Sequence, residues 1–154
     1  MSTVDQATQE RRAGTQKMLA KLHAERTEML VLFCRVAGLQ TVPDAAGKKG
    51  DNKSVQMLLQ KFCQILVDYI ATAHFSLYER IAGGTERRRT VADLAEKLYP
   101  SIAETTQIAL DFNDKYDCED HCNNLHHLQN DLSKLGEVLA QRIELEDQII
   151  KLMR

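Results

Sequence analysis

Tryptophan is absent from this chain of 154 residues, proline occurs twice, and phenylalanine and tyrosine occur four times each. With aromatics at only 5%, the sequence lacks the aromatic and β-branched strands of a sheet sandwich, and an aliphatic helical core is expected instead. An excess of basic residues is missing too. Twenty Lys and Arg face 22 Asp and Glu, a formal charge of −2, which argues against a dedicated nucleic-acid binder. No apolar run approaches the roughly 20 residues that span a bilayer. The opening MSTVDQATQERR lacks the apolar centre of a secretory signal, and neither end carries a lipidation motif. The expected setting is the cytoplasm. The length suits one domain, 1–154, large enough to bury a real core.

What is present is helical periodicity, with no competing strand pattern, repeat or low-complexity tract. Residues 1–14 read as a flexible N-terminal segment. A first helix is predicted from Thr15, a suitable N-cap, to Ala37, with Gly38 as its stop and Leu19, Leu22, Leu30, Phe33 and Ala37 inward. Pro, Gly and Asp mark 39–53 as a loop. A second helix starts near Asn52 to Ser54 and ends at Gly83-Gly84. A short helix, Thr90 to Leu98, is expected to break at Tyr99-Pro100, and Ser101 to cap another that carries Ile102, Thr105, Ile108 and Phe112 to about Lys115. The last helix runs roughly from Glu119 to Leu152. The whole reads as an all-α, single-domain antiparallel bundle of four long helices plus one short one. The 39–53 loop leaves the first two helices free to be parallel or to cross over.

Two helices carry more than a core stripe. On the last, Leu125, Leu128, Leu132, Leu135 and Leu139 alternate in steps of three and four, and the same rhythm then meets Arg142 and Glu146. Either the two charges pair with each other or with the second helix, or the stripe drifts and Ile143 and Ile150 take over inside. The drift is the simpler reading. On the second helix, Leu59, Phe62, Leu66, Ile70, Ala73, Leu77 and Ile81 form the core face at about 100° per residue. Opposite them lie Asp68, Phe75 and Glu79, with Thr72 and Ser76 alongside. A Phe between two carboxylates on a solvent face reads as a partner anchor with an electrostatic rim; a second packed helix is the plainer alternative.

The same segment, FCQ-x-LVDY-x-x-x-x-HF-x-x-YERI from Phe62 to Ile81, resembles the signature helix of the regulator of sigma D family (Rsd/AlgQ). LHAER-x-x-x-LV at Leu22 to Val31, followed by AGL at Ala37 to Leu39, and LSKLGEVLAQRIELEDQII at Leu132 to Ile150 resemble further family elements in the same order. Ala46 to Lys53, the GGTERRR turn and the CEDHC segment depart from the pattern. The resemblance implies a helical cytoplasmic anti-sigma factor. Such a protein binds the C-terminal, promoter-reading region of the primary sigma factor and blocks its contacts with core polymerase and promoter DNA. Asp68, Thr72, Phe75, Ser76 and Glu79 are then the expected partner-binding residues, with His74, Tyr78, Arg142 and Asp147 as a second tier shaping the surface or a cavity beside it. A self-associating scaffold, or an adaptor for another protein, is the alternative.

Other chemistry finds little support. Asp68, His74, Tyr78 and Glu79 do not converge on one point, and no phosphate-cradling glycine loop or nucleophile elbow is present, so no enzyme is expected. Cys118, Cys122 and His126 share a helix face, but the spacing lacks the paired knuckles of a zinc site, so neither metal nor cofactor is expected. Cys34 and Cys63 read as buried small hydrophobes. Arg87-Arg88-Arg89 reads as a solvated turn, without direct nucleic-acid contact, and a homodimer is not predicted.

Overall fold

The computed structural model describes residues 3–41, 52–79, 89–116 and 127–153. These form four helices, and no strand occurs among them: α1 (Thr3–Thr41), α2 (Asn52–Ala73) continued by a π-helical turn (His74–Glu79), α3 (Arg89–Tyr116) and α4 (Leu128–Met153). Side-chain contacts give the topology. Phe33 of α1 meets Phe62 of α2, which meets Phe112 of α3. Further along, Arg26 bonds Glu146 of α4, which is also bonded by Tyr69 of α2. Numbers fall along α1 as they rise along α2. The same holds for α3 and α4, where Tyr116 meets Asp131 and Thr105 meets Arg142. Neighbours are therefore antiparallel, which settles the orientation of the first two helices.

Each helix buries one stripe at heptad-like spacing. On α4 the stripe is Leu128, Leu132, Leu135, Leu139, Arg142, Glu146, Ile149 and Met153, all buried. Steps of three and four continue through both charges without drift. The charges are therefore inside, and the drift reading is overturned: Ile143 is only half-buried, although Ile150 is in the core. On α2 the expected stripe from Leu59 to Leu77 is buried together with Cys63 and Tyr69; Ile81 lies outside the described residues.

Several expected boundaries shift. The first helix begins at Thr3 rather than Thr15 and passes through Gly38 to Thr41, so the segment expected to be flexible is helical from Thr3 onward. Thr15 is a buried stripe position and no cap. Met29, Leu32 and Val36 take the inward places, while Leu30 and Cys34 are exposed. Among the described side chains ahead of Thr15, residues 6, 9, 10 and 12–14 are all exposed. The loop expected over 39–53 gives way to helix at both ends, and 42–51 lie outside the described residues.

The separate short helix does not exist. Pro100 sits inside one continuous α3. Proline removes one backbone hydrogen bond and clashes with the preceding turn, yet Pro100 is exposed and the apolar register runs straight past it. Val91, Ala95, Ile102, Thr105, Ala109, Phe112 and Tyr116 are all buried, and Leu98 packs against the core between them. Burial of one uninterrupted stripe outweighs the single lost bond.

Three of the four phenylalanines form a chain of ring contacts across the bundle, with centroids 5.9 Å apart for Phe33–Phe62 and 6.0 Å for Phe62–Phe112. Tyr116 extends it at 4.7 Å from Phe112. Gly136 makes room on α4, since a Cβ there would stand 2.9 Å from Phe33 Cζ. The fourth phenylalanine is Phe75. It is outside.

Because α3 keeps its register despite the proline, Pro100→Ala should stabilise the fold by on the order of 2 kcal/mol. Chemical denaturation measures this directly, and an unchanged or lowered midpoint would mean the proline is accommodated without cost.

Candidate functional site

α2 has a different task on each side. Its inner side reaches a polar cluster at the centre of the bundle. Glu146 is fully buried, and Arg142 beside it is 1% exposed. Burying such charges is tolerated only when they are paired and hydrogen-bonded, and here both conditions hold. Arg142 Nε donates to Glu146 Oε2 at 3.1 Å, and Arg26 Nη2 donates to Glu146 Oε1 at 3.1 Å. The Tyr69 hydroxyl donates to that same Oε1.

Arg26 also donates through Nη1 to Asp147 at 2.8 Å, a carboxylate half in solvent. Arg142 Nη1 reaches α3, donating to Thr106 Oγ1 at 2.6 Å and Thr105 Oγ1 at 3.2 Å, with the Ile102 carbonyl at 3.5 Å. Both threonine hydroxyls donate in turn to the Ile102 carbonyl. The guanidinium of Arg142 lies over the Tyr69 ring, 5.8 Å from its centroid.

The cluster shifts its members' protonation. Burial, and then the negative charge of Glu146, push the Tyr69 hydroxyl well above its ordinary pKa, so it stays protonated and donating. Burial works against the charge on Arg26, but the Asp147 hydrogen bond and the negative charges of Glu146 and Asp147 outweigh it and raise the pKa overall. Near the bundle end, Tyr116 is raised by burial and by its bond to Asp131. Asp131 itself is disfavoured as an anion by burial, but hydrogen bonds from Lys115 and Tyr116 more than compensate and lower its pKa.

The outer side of α2 carries the residues singled out in the sequence. Phe75 is 62% exposed. It lies in the π-helical turn, where i→i+5 bonding widens the helix, and its ring meets that of His74 edge-on with centroids 5.4 Å apart. Asp68 and His74 are exposed and Thr72 is half-buried. Ser76, expected as a flanking contact, is buried. The side chains of Tyr78 and Glu79 lie outside the described residues. So do Cys118, Cys122 and His126, and among the described residues no group of metal-binding side chains occurs. Arg87 and Arg88 are likewise outside, while Arg89 is exposed at the start of α3.

Between Phe75 and α3 lies an open cleft of about 390 Å³. Val67, Ile70 and Ala71 form one wall and Ile102, Ala103 and Leu110 the other, with Tyr99 and Phe75 at the rim and Arg142 reaching in from α4. Of the second-tier residues, His74 and Arg142 thus meet at this cleft, whereas Asp147 pairs with Arg26. Sequence reasoning passed over Arg26, Tyr69 and Tyr99. For Arg26 a signal existed: Leu19, Leu22, Arg26 and Met29 follow one stripe, so the arginine holds a core position.

No helix among the described residues is long and apolar enough to cross a membrane. The fold is an all-helical bundle that exposes an aromatic, Phe75, and an acid, Asp68, on the outer side of α2. Over residues 1–154 the chain matches the family described as regulator of RNA polymerase sigma(70) subunit, Rsd/AlgQ. It is 35% identical over 133 residues to the "Regulator of sigma D" of Yersinia enterocolitica serotype O:8, covering 84% of this chain and 75% of that protein. The protein of the same name from Shigella dysenteriae serotype 1 is 34% identical over 146 residues, covering 94% of this chain and 88% of its own length. The chain belongs to the Rsd/AlgQ family of sigma(70) regulators. No solved structure matches it.

Two outcomes follow for the buried cluster. Glu146→Gln leaves two buried guanidiniums without their shared counter-charge and should cost about 3 kcal/mol or more in urea unfolding. Because Tyr69 and Tyr116 have raised pKa values when folded, their contribution is complete below the unfolded value near pH 10 and is lost as pH climbs above it. Stability should therefore decline with pH above about 10, by up to about 1.4 kcal/mol per pH unit for each tyrosine. Tyr69→Phe should remove part of that slope, and an unaltered slope would show that Tyr69 titrates normally.

Proposed function

We propose that this protein binds the C-terminal region of the primary sigma factor and acts by occlusion. Covered by the bundle, that region can no longer reach core polymerase or its promoter element, and core becomes available to alternative sigma factors. No bond is made or broken, only mass action between partners in the cytoplasm. The reading is supported by membership of a sigma(70)-regulator family, and above all by the exposure of Phe75. A large apolar side chain kept in solvent, in a protein whose other phenylalanines are in or against the core, fits an interface anchor.

Phe75 supplies the apolar contact. Asp68 and Glu79 are the charge partners for a basic helical module, and Thr72 flanks them; Ser76, being buried, acts by supporting this surface rather than by touching the partner. Such charges chiefly set the association rate and its salt dependence.

Calorimetric titration against the isolated C-terminal region of the host's primary sigma factor, at two salt concentrations, tests this. Binding should saturate and weaken with salt. Phe75→Ala should cost about 2 kcal/mol or more of binding energy with an unchanged melting temperature. Unaltered binding with a collapsed melting temperature would refute the anchor. Absence of binding, together with a dimer that Phe75→Asp dissolves, would establish self-association in its place.

A further inference from the structure

The cleft between α2 and α3 has the character of a small-ligand site: a few hundred Å³, mostly apolar walls and few polar groups. Its polar members are His74, Thr106, Gln107 and Arg142. Arg142 decides what it would hold.

Around this arginine, two nearly buried guanidiniums share one fully buried carboxylate. Arg142 and Arg26 are 1% and 9% exposed in their side chains, and the only fully buried acid between them is Glu146. The second acid, Asp147, contacts Arg26 and is 51% exposed, so water screens it. Glu146 is further drawn upon by the Tyr69 hydroxyl. Among the described residues, the Arg142 side of the cluster thus carries a share of positive charge that no fully buried acid of its own offsets.

Its geometry is fixed as well. Nε is held by Glu146, and Nη1 by the two threonine hydroxyls and the Ile102 carbonyl. No bond from Nη2 is among these, and the side chain lines the cleft. A guanidinium anchored on one edge is already oriented for an anion on another, with no rotamer freedom left to lose.

We propose that this cleft binds a small carboxylate with an apolar or aromatic body. The carboxylate meets Arg142 Nη2, and the body lies between Ile70 and Ala103 beneath the rings of Phe75 and Tyr99. The inference stands on the cleft and its charge, apart from the sigma-binding reading.

The test is ¹⁵N-edited NMR of the whole protein, following the Arg142 side-chain Nε–H resonance, which Arg142→Lys identifies by its loss. The probes are phenylacetate and its uncharged isostere phenylacetamide. Phenylacetate should shift the resonance saturably, and phenylacetamide should bind at least about tenfold more weakly, as expected for loss of a charge-assisted contact. If Arg142→Lys does not fold, Ala103→Phe serves as the second variant. It fills the cleft from a half-buried position outside the polar cluster and should abolish the phenylacetate shifts while the bundle stays folded. Equal affinities for the two probes would overturn the role of Arg142. Unchanged titration in Ala103→Phe would overturn the location, and no saturable shift at about 10 mM, the weak end of specific affinity, would overturn the site.

Discussion

The carboxylate of Glu146 is the point on which the bundle turns. It is fully buried on α4 and is bonded by Arg26 of α1, Tyr69 of α2 and Arg142 of its own helix, which in turn grips Thr105 and Thr106 of α3. All four helices therefore meet at one cluster of hydrogen bonds. Hydrophobic stripes of similar width can slide past each other by a turn at modest cost, whereas a buried guanidinium that misses its carboxylate costs several kcal/mol. The cluster gains little net stability over an apolar core of the same shape. Its contribution is register.

That register reaches the surface. Tyr69 and Phe75 are on the same continuous helical segment, so fixing Tyr69 over Glu146 also fixes where the π-helical turn presents Phe75. Arg142 closes the cleft from below while its neighbours hold it still. The aromatic chain of Phe33, Phe62, Phe112 and Tyr116 secures the other end of the bundle. Between the two layers, α2 has no freedom to rotate its exposed face.

The helical class and the core stripes of α2 and α4 were legible in the sequence because burial repeats every three to four residues. The resemblance carried by Phe62 to Ile81 located the family, and the family comparisons agree. Other features eluded the pattern for physical reasons. Arg142 and Glu146 look like drift in the sequence because their partners are on three other helices, and a charge on a stripe without its partners looks like an error. Arg26 was overlooked on the same ground. Pro100 suggests a break by local propensity, but the buried stripe that crosses it keeps the helix continuous. The widened turn at His74 to Glu79 leaves no mark in residue type, and Tyr99 becomes part of the candidate site only through the packing of α3 on α2.

The first turns of α1 behave differently from everything beyond them. A helix of 39 residues is about 58 Å long, while the 26 residues of α4 reach only about 39 Å. Ahead of Thr15 the described side chains, residues 6, 9, 10 and 12–14, are all exposed, so they bury nothing against the bundle and rest on the helix's own backbone bonds, in a length that is marginal as an isolated helix. Its amides should exchange with solvent through local fraying, on a timescale set by helix–coil opening, while those around Arg26 exchange only when the bundle itself opens. One unbroken helix thus divides into two units of cooperativity near Thr15, the first buried position among its described side chains, rather than at any break in the backbone.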